Sequence, residues 1–282
     1  MTNISYEVFP PNSTVGNEHL CQTLATIKKL QPAFISVTCS GKTANFAQET
    51  VRIADKVQND CHVPAIAHLP ALYLSKDDVD SILAKLKVHN VNRVLVLRGD
   101  ERPNLEKKND FRHASDLVDY IHINYPEFKI TGACYPEIHP ESKNMVDEIA
   151  HLKLKVDAGC DQLITQLFLD NRNYYRFREI CTIAGINVPI IAGIMPIINV
   201  RQATRILKTG SVTVPAKFQS ILSKYKDKPV ALKQAGIIYA IDQIVDLVTN
   251  DVAGIHLYTM NQAETTCQIH RNIGALFETK SA

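Results

Sequence analysis

Glu7 lies in Ser5-Tyr6-Glu7-Val8-Phe9, a run whose apolar members mark a buried strand. A carboxylate among such neighbours is costly unless it is paired or functional. Burial also raises a carboxyl pKa, which suits a general acid. Other polar residues sit at comparable places: Thr38, His68, Arg98-Gly99-Asp100, Tyr135 through His139, Gln166, and Tyr258 with Asn261. Singly, each has a plain explanation. A strand histidine is more often structural than catalytic, and Arg-Gly-Asp here follows a buried-type strand, which argues against an adhesion motif. Together, polar residues recurring at the same end of successive strands make a site. The chain has no H-E-x-x-H, Walker loop, G-x-S-x-G elbow or spaced metal-ligand set. Acid catalysis beside a bound organic cofactor fits this inventory better than metal hydrolysis or acyl transfer.

The elements that must carry these residues alternate along the whole chain. Short apolar, β-branched runs predict eight strands: Ile4–Phe9, Ala33–Cys39, Ala65–Leu69, Arg93–Leu97, Lys129–Cys134, Gln162–Phe168, Pro189–Met195 and Gly254–Tyr258. Helical periodicity fills the intervals at Glu18–Leu30, Ala47–Gln58, Lys76–His89, Ala114–Ile123, Lys143–Ala158, Asn173–Ala184 and Ala231–Thr249. Ser75 followed by Asp77 and Asp78 reads as a helix start, and Gly159 and Gly185 read as helix ends. The strands are apolar throughout, as in a parallel sheet covered on both faces. With no Gly/Ser-rich linker and no G-x-G-x-x-G after the first strand, the expectation is an α/β fold of (β/α)8 TIM-barrel type. It forms a single domain over residues 1–282, with an extra helix, near Pro215–Tyr225, before the last strand.

Composition narrows the surroundings. Hydrophobic residues make up 45% of the chain and charged ones 21%, while the net charge is only +2 and no like-charge block occurs. These values argue against nucleic acid and against a polybasic membrane surface. No apolar run approaches the ~20 residues of a membrane span, and the first residues do not read as a signal peptide. The seven cysteines are scattered, with no C-x-x-C pair, so reduced, buried thiols and a cytoplasmic location are expected.

Several strings resemble the methylenetetrahydrofolate reductases: Glu7-Val8-Phe9-Pro10-Pro11, Phe34-Ile35-Ser36-Val37-Thr38, Leu97-Arg98-Gly99-Asp100 and Tyr135-Pro136-Glu137-Ile138-His139-Pro140. Lys155-Val156-Asp157-Ala158-Gly159, Thr165-Gln166-Leu167-Phe168 and Leu257-Tyr258-Thr259-Met260-Asn261 continue the pattern in the family's order. The length resembles the compact bacterial form, which has the catalytic barrel alone. The resemblance implies a barrel that binds FAD tightly at its mouth and takes electrons from NADH or NADPH. It then reduces 5,10-methylenetetrahydrofolate to 5-methyltetrahydrofolate by a ping-pong route in one-carbon metabolism and methionine biosynthesis. It also implies a homo-oligomer, with a tetramer among the possible states.

Carried over position by position, Glu7 falls on the family's proton donor to the folate, and Asp100 on the acid that stabilises the 5-iminium cation formed on ring opening. Thr38, His68, Arg98, Gly99, Asp100, His113, Ala114, Tyr135, His139, Glu148, His151 and Lys155 fall on cofactor-side positions. Arg98 and Lys155 are suited to a diphosphate. Gln166, Tyr258 and Gln262, with Glu7 and Asp100, fall on the substrate side. The chain departs from the familiar bacterial pattern at Cys39 (for Tyr), His113 (Tyr), His151 (Asn), Leu154 (Arg), Ile206 (Phe) and Gln262 (Arg). Methyl transfer from a folate to a corrinoid protein is a rival chemistry for such a barrel, but it has less use for Glu7 and the flavin-side set. A non-catalytic member that binds folate or a partner enzyme without turnover is a rival from another class, and the Glu7/Asp100 pair speaks against it.

Overall fold

A computed structural model describes residues 2–11, 13–39, 46–100, 106–139, 142–209 and 212–277. Eight strands close into a parallel barrel in chain order: β1 Asn3–Val8, β2 Ile35–Val37, β3 Ala65–Pro70, β4 Arg93–Leu97, β5 Lys129–Cys134, β6 Gln162–Thr165, β7 Ile190–Ile194 and β8 Gly254–Tyr258. Around them run α1 Thr14–Ile27, α2 Phe46–Asp55, α3 Lys76–Val88, α4 Ala114–Asn124, α5 Met145–Asp157 and α6 Asn171–Ile183. The set is completed by α7 Val200–Thr209, α8 Ala216–Tyr225, α9 Pro229–Thr249 and α10 Ala263–Ile273. The expected barrel and the extra helical stretch before the last strand are both present.

Local chemistry explains where the elements start and stop. Ser75 caps α3 in a reciprocal capping box with Asp78. Ser13 caps α1 through a bond from the Gly16 amide, so that helix starts four residues before the expected Glu18. Gly159 and Gly185 take positive φ beyond the ends of α5 and α6. Three strands are shorter than their apolar runs suggested, β7 by one residue at each end. β2 covers only Ile35–Val37 and β6 ends at Thr165, which leaves Thr38 and Gln166 just past the strand ends rather than within them. Helix α10, which the strand-helix rhythm had not marked, follows β8 and packs on α1 and α9.

The main core fills the space between barrel and helices, with Tyr6, Phe111, Phe168, Tyr174 and Phe177 among its largest buried side chains. A second apolar set lies inside the barrel: Phe34, Ile66, Leu95, Ile164 and Ile191. This inner set is the floor on which the polar residues stand. Four of the seven cysteines (Cys39, Cys134, Cys160 and Cys181) are buried, Cys61 and Cys267 are half-buried, and Cys21 is exposed, contrary to the expectation of burial throughout. No helix among the described residues is long and apolar enough to cross a membrane.

Candidate active site

Strand register explains how separate sequence positions meet. Glu7 pairs with Ser36 on β2 and with Tyr258 on β8, Ser5 pairs with His256, and His256 pairs with Gly193 on β7. Residues opposite one another on neighbouring strands share a face, so this set lines the barrel interior above the apolar floor. His256 is wholly buried and stacks on Phe34, with ring centroids 5.5 Å apart. Its Nδ1 lies 2.8 Å from Ser5 Oγ and its Nε2 lies 3.1 Å from Ser36 Oγ.

The Glu7 carboxyl sits over this imidazole. Its Oε2 is 3.8 Å from His68 Nε2 and 3.9 Å from His256 Nε2, too far for a hydrogen bond. The side chain is 20% exposed, toward the barrel mouth. Burial pushes its pKa up to about 8, so at neutral pH it holds its proton. Burial pushes His68 down to about 3, and His256, held down first by burial and then by His68, also to about 3. At neutral pH the contacts therefore join neutral groups, not an ion pair. His68 Nε2 is buried, with no hydrogen-bond partner among the described residues.

Tyr258 completes the inner cluster. Its hydroxyl donates to the Thr165 carbonyl at 2.6 Å, and its ring meets His256 edge-on at 5.5 Å. Burial, followed by the Glu7 charge, raises the phenol far above its ordinary value, so it stays a donor. Thr259 hydroxyl donates to the Glu7 main-chain carbonyl at 2.6 Å. Asn261 clamps the exit of β1 with two bonds, accepting from the Phe9 amide at 3.1 Å and donating to the Phe9 carbonyl at 2.9 Å. Met260 and Asn261 both carry positive φ, 52° and 54°, a strained arrangement at the mouth that these bonds hold in place.

The β4 and β5 exits form the opposite rim. Gly99 has φ 91°, and a Cβ there would approach Pro70 Cβ to 3.1 Å, so the turn from Arg98 to Asp100 favours glycine. Tyr73 hydroxyl donates to the Asp100 carbonyl at 2.8 Å, while the residue itself is exposed at the rim. After β5, Tyr135 and His139 meet edge to face at 4.6 Å. Between them Ile138, a β-branched residue, takes φ 58°. Glu148 on α5 secures that strained turn. Its Oε2 accepts from the His139 amide at 3.0 Å and the Ser142 hydroxyl at 2.7 Å. Glu148 thus reaches the mouth through His139. Lys155, about two turns further along α5, donates to the Ala133 carbonyl at 2.6 Å, and burial lowers its pKa.

The remaining expected residues stand further out. Thr38 lies directly after β2, its amide bonded to the Val8 carbonyl at 3.0 Å. Ala114 is buried at the start of α4, while His113 just before it, His151 on α5 and Gln262 before α10 are exposed. Gln166 is exposed, and its side-chain oxygen accepts from the Leu167 amide at 2.9 Å. Glu7, His68 and Tyr258 are thus brought together in the lumen, and Arg98, Asp100, Tyr135 and His139 surround the mouth. Sequence reasoning missed His256, Ser36, Ser5, Thr165 and Gly193. The available signal was parity: Ser5 precedes Glu7, and His256 precedes Tyr258, by the two residues that return a strand to the same face.

The methylenetetrahydrofolate reductase family model matches residues 1–274. The chain belongs to the methylenetetrahydrofolate reductase family. It is 33% identical over 272 residues to the 5,10-methylenetetrahydrofolate reductase of Escherichia coli K12, covering 96% of this chain and 90% of that one. It is 32% identical over 295 residues to methylenetetrahydrofolate reductase (NADH) 1 of Arabidopsis thaliana, covering 99% of this chain and 49% of the relative. The chain thus spans about half the length of that plant member of the family and nine-tenths of the bacterial one. Among solved structures, a protein from Clostridium thermocellum that binds two copies of 5-methyl-5,6,7,8-tetrahydrofolic acid shares the fold. Its TM-score is 0.67 at 14% identity, over 98% of this chain and 95% of that one.

Proposed function

We propose that this chain reduces 5,10-methylenetetrahydrofolate to 5-methyltetrahydrofolate, with NADH or NADPH as electron source and FAD held at the barrel mouth. The observation that carries this reading is Glu7: a carboxyl that keeps its proton at neutral pH, faces the mouth and, among the described residues, donates that proton to no side chain or main-chain group. Reduction of this substrate needs such an acid. The bridging carbon of the folate must leave N10 before it can accept hydride at the iminium. Glu7 gives its proton to N10, the C–N10 electron pair goes with that nitrogen, and a 5-iminium cation remains. Asp100, a carboxylate on the rim, offers the negative charge that steadies this cation. A flavin held by the mouth residues would supply the hydride that the cation takes up.

The residues present fit FAD in kind. His68 Nε2 is a buried ring nitrogen with no hydrogen-bond partner among the described residues, and so is available to a ligand. Lys155 brings a buried amine to the β5 exit, and Arg98 a guanidinium to the β4 exit, both suited to phosphate. Tyr135 and His139 offer ring edges beside them, with Gly99 after β4, Thr38 after β2, His113 and Ala114 at the start of α4, and Glu148 and His151 on α5. Gln166, Tyr258 and Gln262 stand after β6 and around the end of β8, on the side assigned to the folate. A cytoplasmic homo-oligomer completes the reading.

The test is direct. Protein purified without added cofactor is examined by absorption spectroscopy, its flavin is extracted and identified, and 5-methyltetrahydrofolate is sought after anaerobic addition of NADH and the methylene substrate. The reading expects a yellow protein, FAD rather than FMN, and that product. A colourless protein that takes up no added FAD would overturn it.

A further inference from the structure

We propose that His256 is a positioning residue for Glu7: locked by Ser5 with its proton on Nδ1, it absorbs the Ser36 hydroxyl and leaves the floor beneath Glu7 without a hydrogen-bond donor. The proposal rests on Glu7 acting as the acid described above. The lock follows from counting protons. Ser5 Oγ donates to the Ile255 carbonyl at 3.1 Å, which uses its single hydrogen. At the 2.8 Å contact with His256 the serine oxygen must then accept, so Nδ1 carries the hydrogen. Neutral imidazole has only one, and burial holds His256 in that neutral form. Nε2 is therefore a lone pair, and the 3.1 Å contact with Ser36 is the serine hydroxyl donating into it.

The result is a one-way chain, Ser36 to His256 to Ser5 to the Ile255 carbonyl, running away from Glu7. The Tyr258 and Thr259 hydroxyls are committed as well. The Tyr258 hydroxyl is turned across the barrel to the Thr165 carbonyl, and the Thr259 hydroxyl to the main-chain oxygen of Glu7. The titratable groups facing the carboxyl are His68 from β3 and His256 and Tyr258 from β8, and among the described residues no lysine or arginine forms an ion pair with it. A carboxylate on this floor would face a lone pair at 3.9 Å in place of the donors that normally stabilise it. His256 does not touch substrate; it acts through Glu7.

The experiment reads Glu7 itself. Protein carrying 13C at the glutamate side-chain carboxyls is titrated by NMR, with Glu7→Gln identifying the resonance. His256→Asn keeps a donor for Ser5 but removes the acceptor that holds Ser36, freeing the Ser36 hydroxyl to turn to Glu7. Because a hydrogen bond to the charged form lowers a carboxyl pKa, the Glu7 titration should fall by about one pH unit or more. Adding Ser36→Ala should restore it. Ser5→Ala, a milder change that unlocks the tautomer, should also lower it and serves if His256→Asn does not fold. A Glu7 titration unmoved in whichever of these variants folds would overturn the proposal, as would failure of Ser36→Ala to restore it. The pH profile of the folate half-reaction separates the two readings. If the NMR titration moves and the kinetic limb does not, His256 positions Glu7 but Glu7 is not the acid.

Discussion

Tyr258 on β8 reaches across β7 to donate its hydroxyl to the Thr165 carbonyl, 2.6 Å away on β6, and it can do so only because Gly193 lies beneath its ring. A Cβ at Gly193 would stand 2.6 Å from Tyr258 Oη and 2.3 Å from the Thr165 carbonyl oxygen. The Gly193 amide in turn donates to Thr165 Oγ1 at 2.9 Å. The glycine therefore sets where the Tyr258 ring rests.

Gly193→Ala should cost about 1–3 kcal/mol of stability through overpacking. It should also displace Tyr258 and raise KM for the folate more than it slows flavin reduction by NADH. Chemical denaturation and steady-state kinetics check this. A variant with unchanged stability and unchanged KM would show that the strands shift to accommodate the methyl group and that Tyr258 needs no such slot.

Burial of Glu7 also fixes a pH dependence of stability. The folded carboxyl titrates at about 8 against an ordinary value of 4.5, so the folded protein holds the proton more tightly than the unfolded chain. That contribution is complete below the ordinary value and is lost as the pH rises through about 8. His68 and His256, lowered from 6.5 to about 3, act in the opposite sense, stabilising the fold as pH rises across that interval. Glu7→Gln removes only the first effect. Its Tm relative to the parent protein should therefore rise steadily from about pH 5 to about pH 9. A difference that does not change with pH would mean the carboxyl titrates normally.

Asp100 and Glu7 should be separable. Asp100 is exposed on the rim after β4, where its charge would face a cation formed on the substrate. Asp100→Asn should slow the folate half-reaction more than it slows flavin reduction, and the two are resolved by stopped-flow absorbance. Equal slowing of both would place Asp100 on the flavin alone.

Leu154 offers a test of gain. It is 61% exposed on α5, immediately before Lys155, at a position where the resemblance described above implies an arginine. Leu154→Arg meets no packing obstacle and should lower the FAD dissociation constant if that face of α5 lies against the diphosphate. An unchanged constant, measured by flavin fluorescence titration, would remove Leu154 from the flavin account.

The barrel was legible because the covered parallel strands are apolar from end to end, and Gly254–Tyr258, Arg93–Leu97 and Lys129–Cys134 match their expected bounds. The ends of β2 and β6 were not, since Thr38 and Gln166 continue the β-prone run but leave the ladder, Gln166 turning its amide oxygen to Leu167. Glu7 was legible for the opposite reason: a charge inside an apolar strand is conspicuous. His256 was not conspicuous. A histidine between Ile255 and Leu257 looks structural until register brings Ser5, Ser36 and Glu7 around it. Glu148 shows the same limit, because its role in holding the Ile138 turn depends on bonds to His139 and Ser142 that spacing cannot reveal.

The central claim is that Glu7 is the proton donor to the folate and has no part in hydride transfer from NADH. Stopped-flow absorbance of the flavin in Glu7→Gln tests it most directly, because the two half-reactions are followed separately in one sample. Reduction by NADH should proceed at close to the parent rate. Reoxidation by methylenetetrahydrofolate should slow by about 10²–10⁴-fold or more, the range a general acid contributes. Equal slowing of both half-reactions, or reoxidation at the parent rate, would contradict the account.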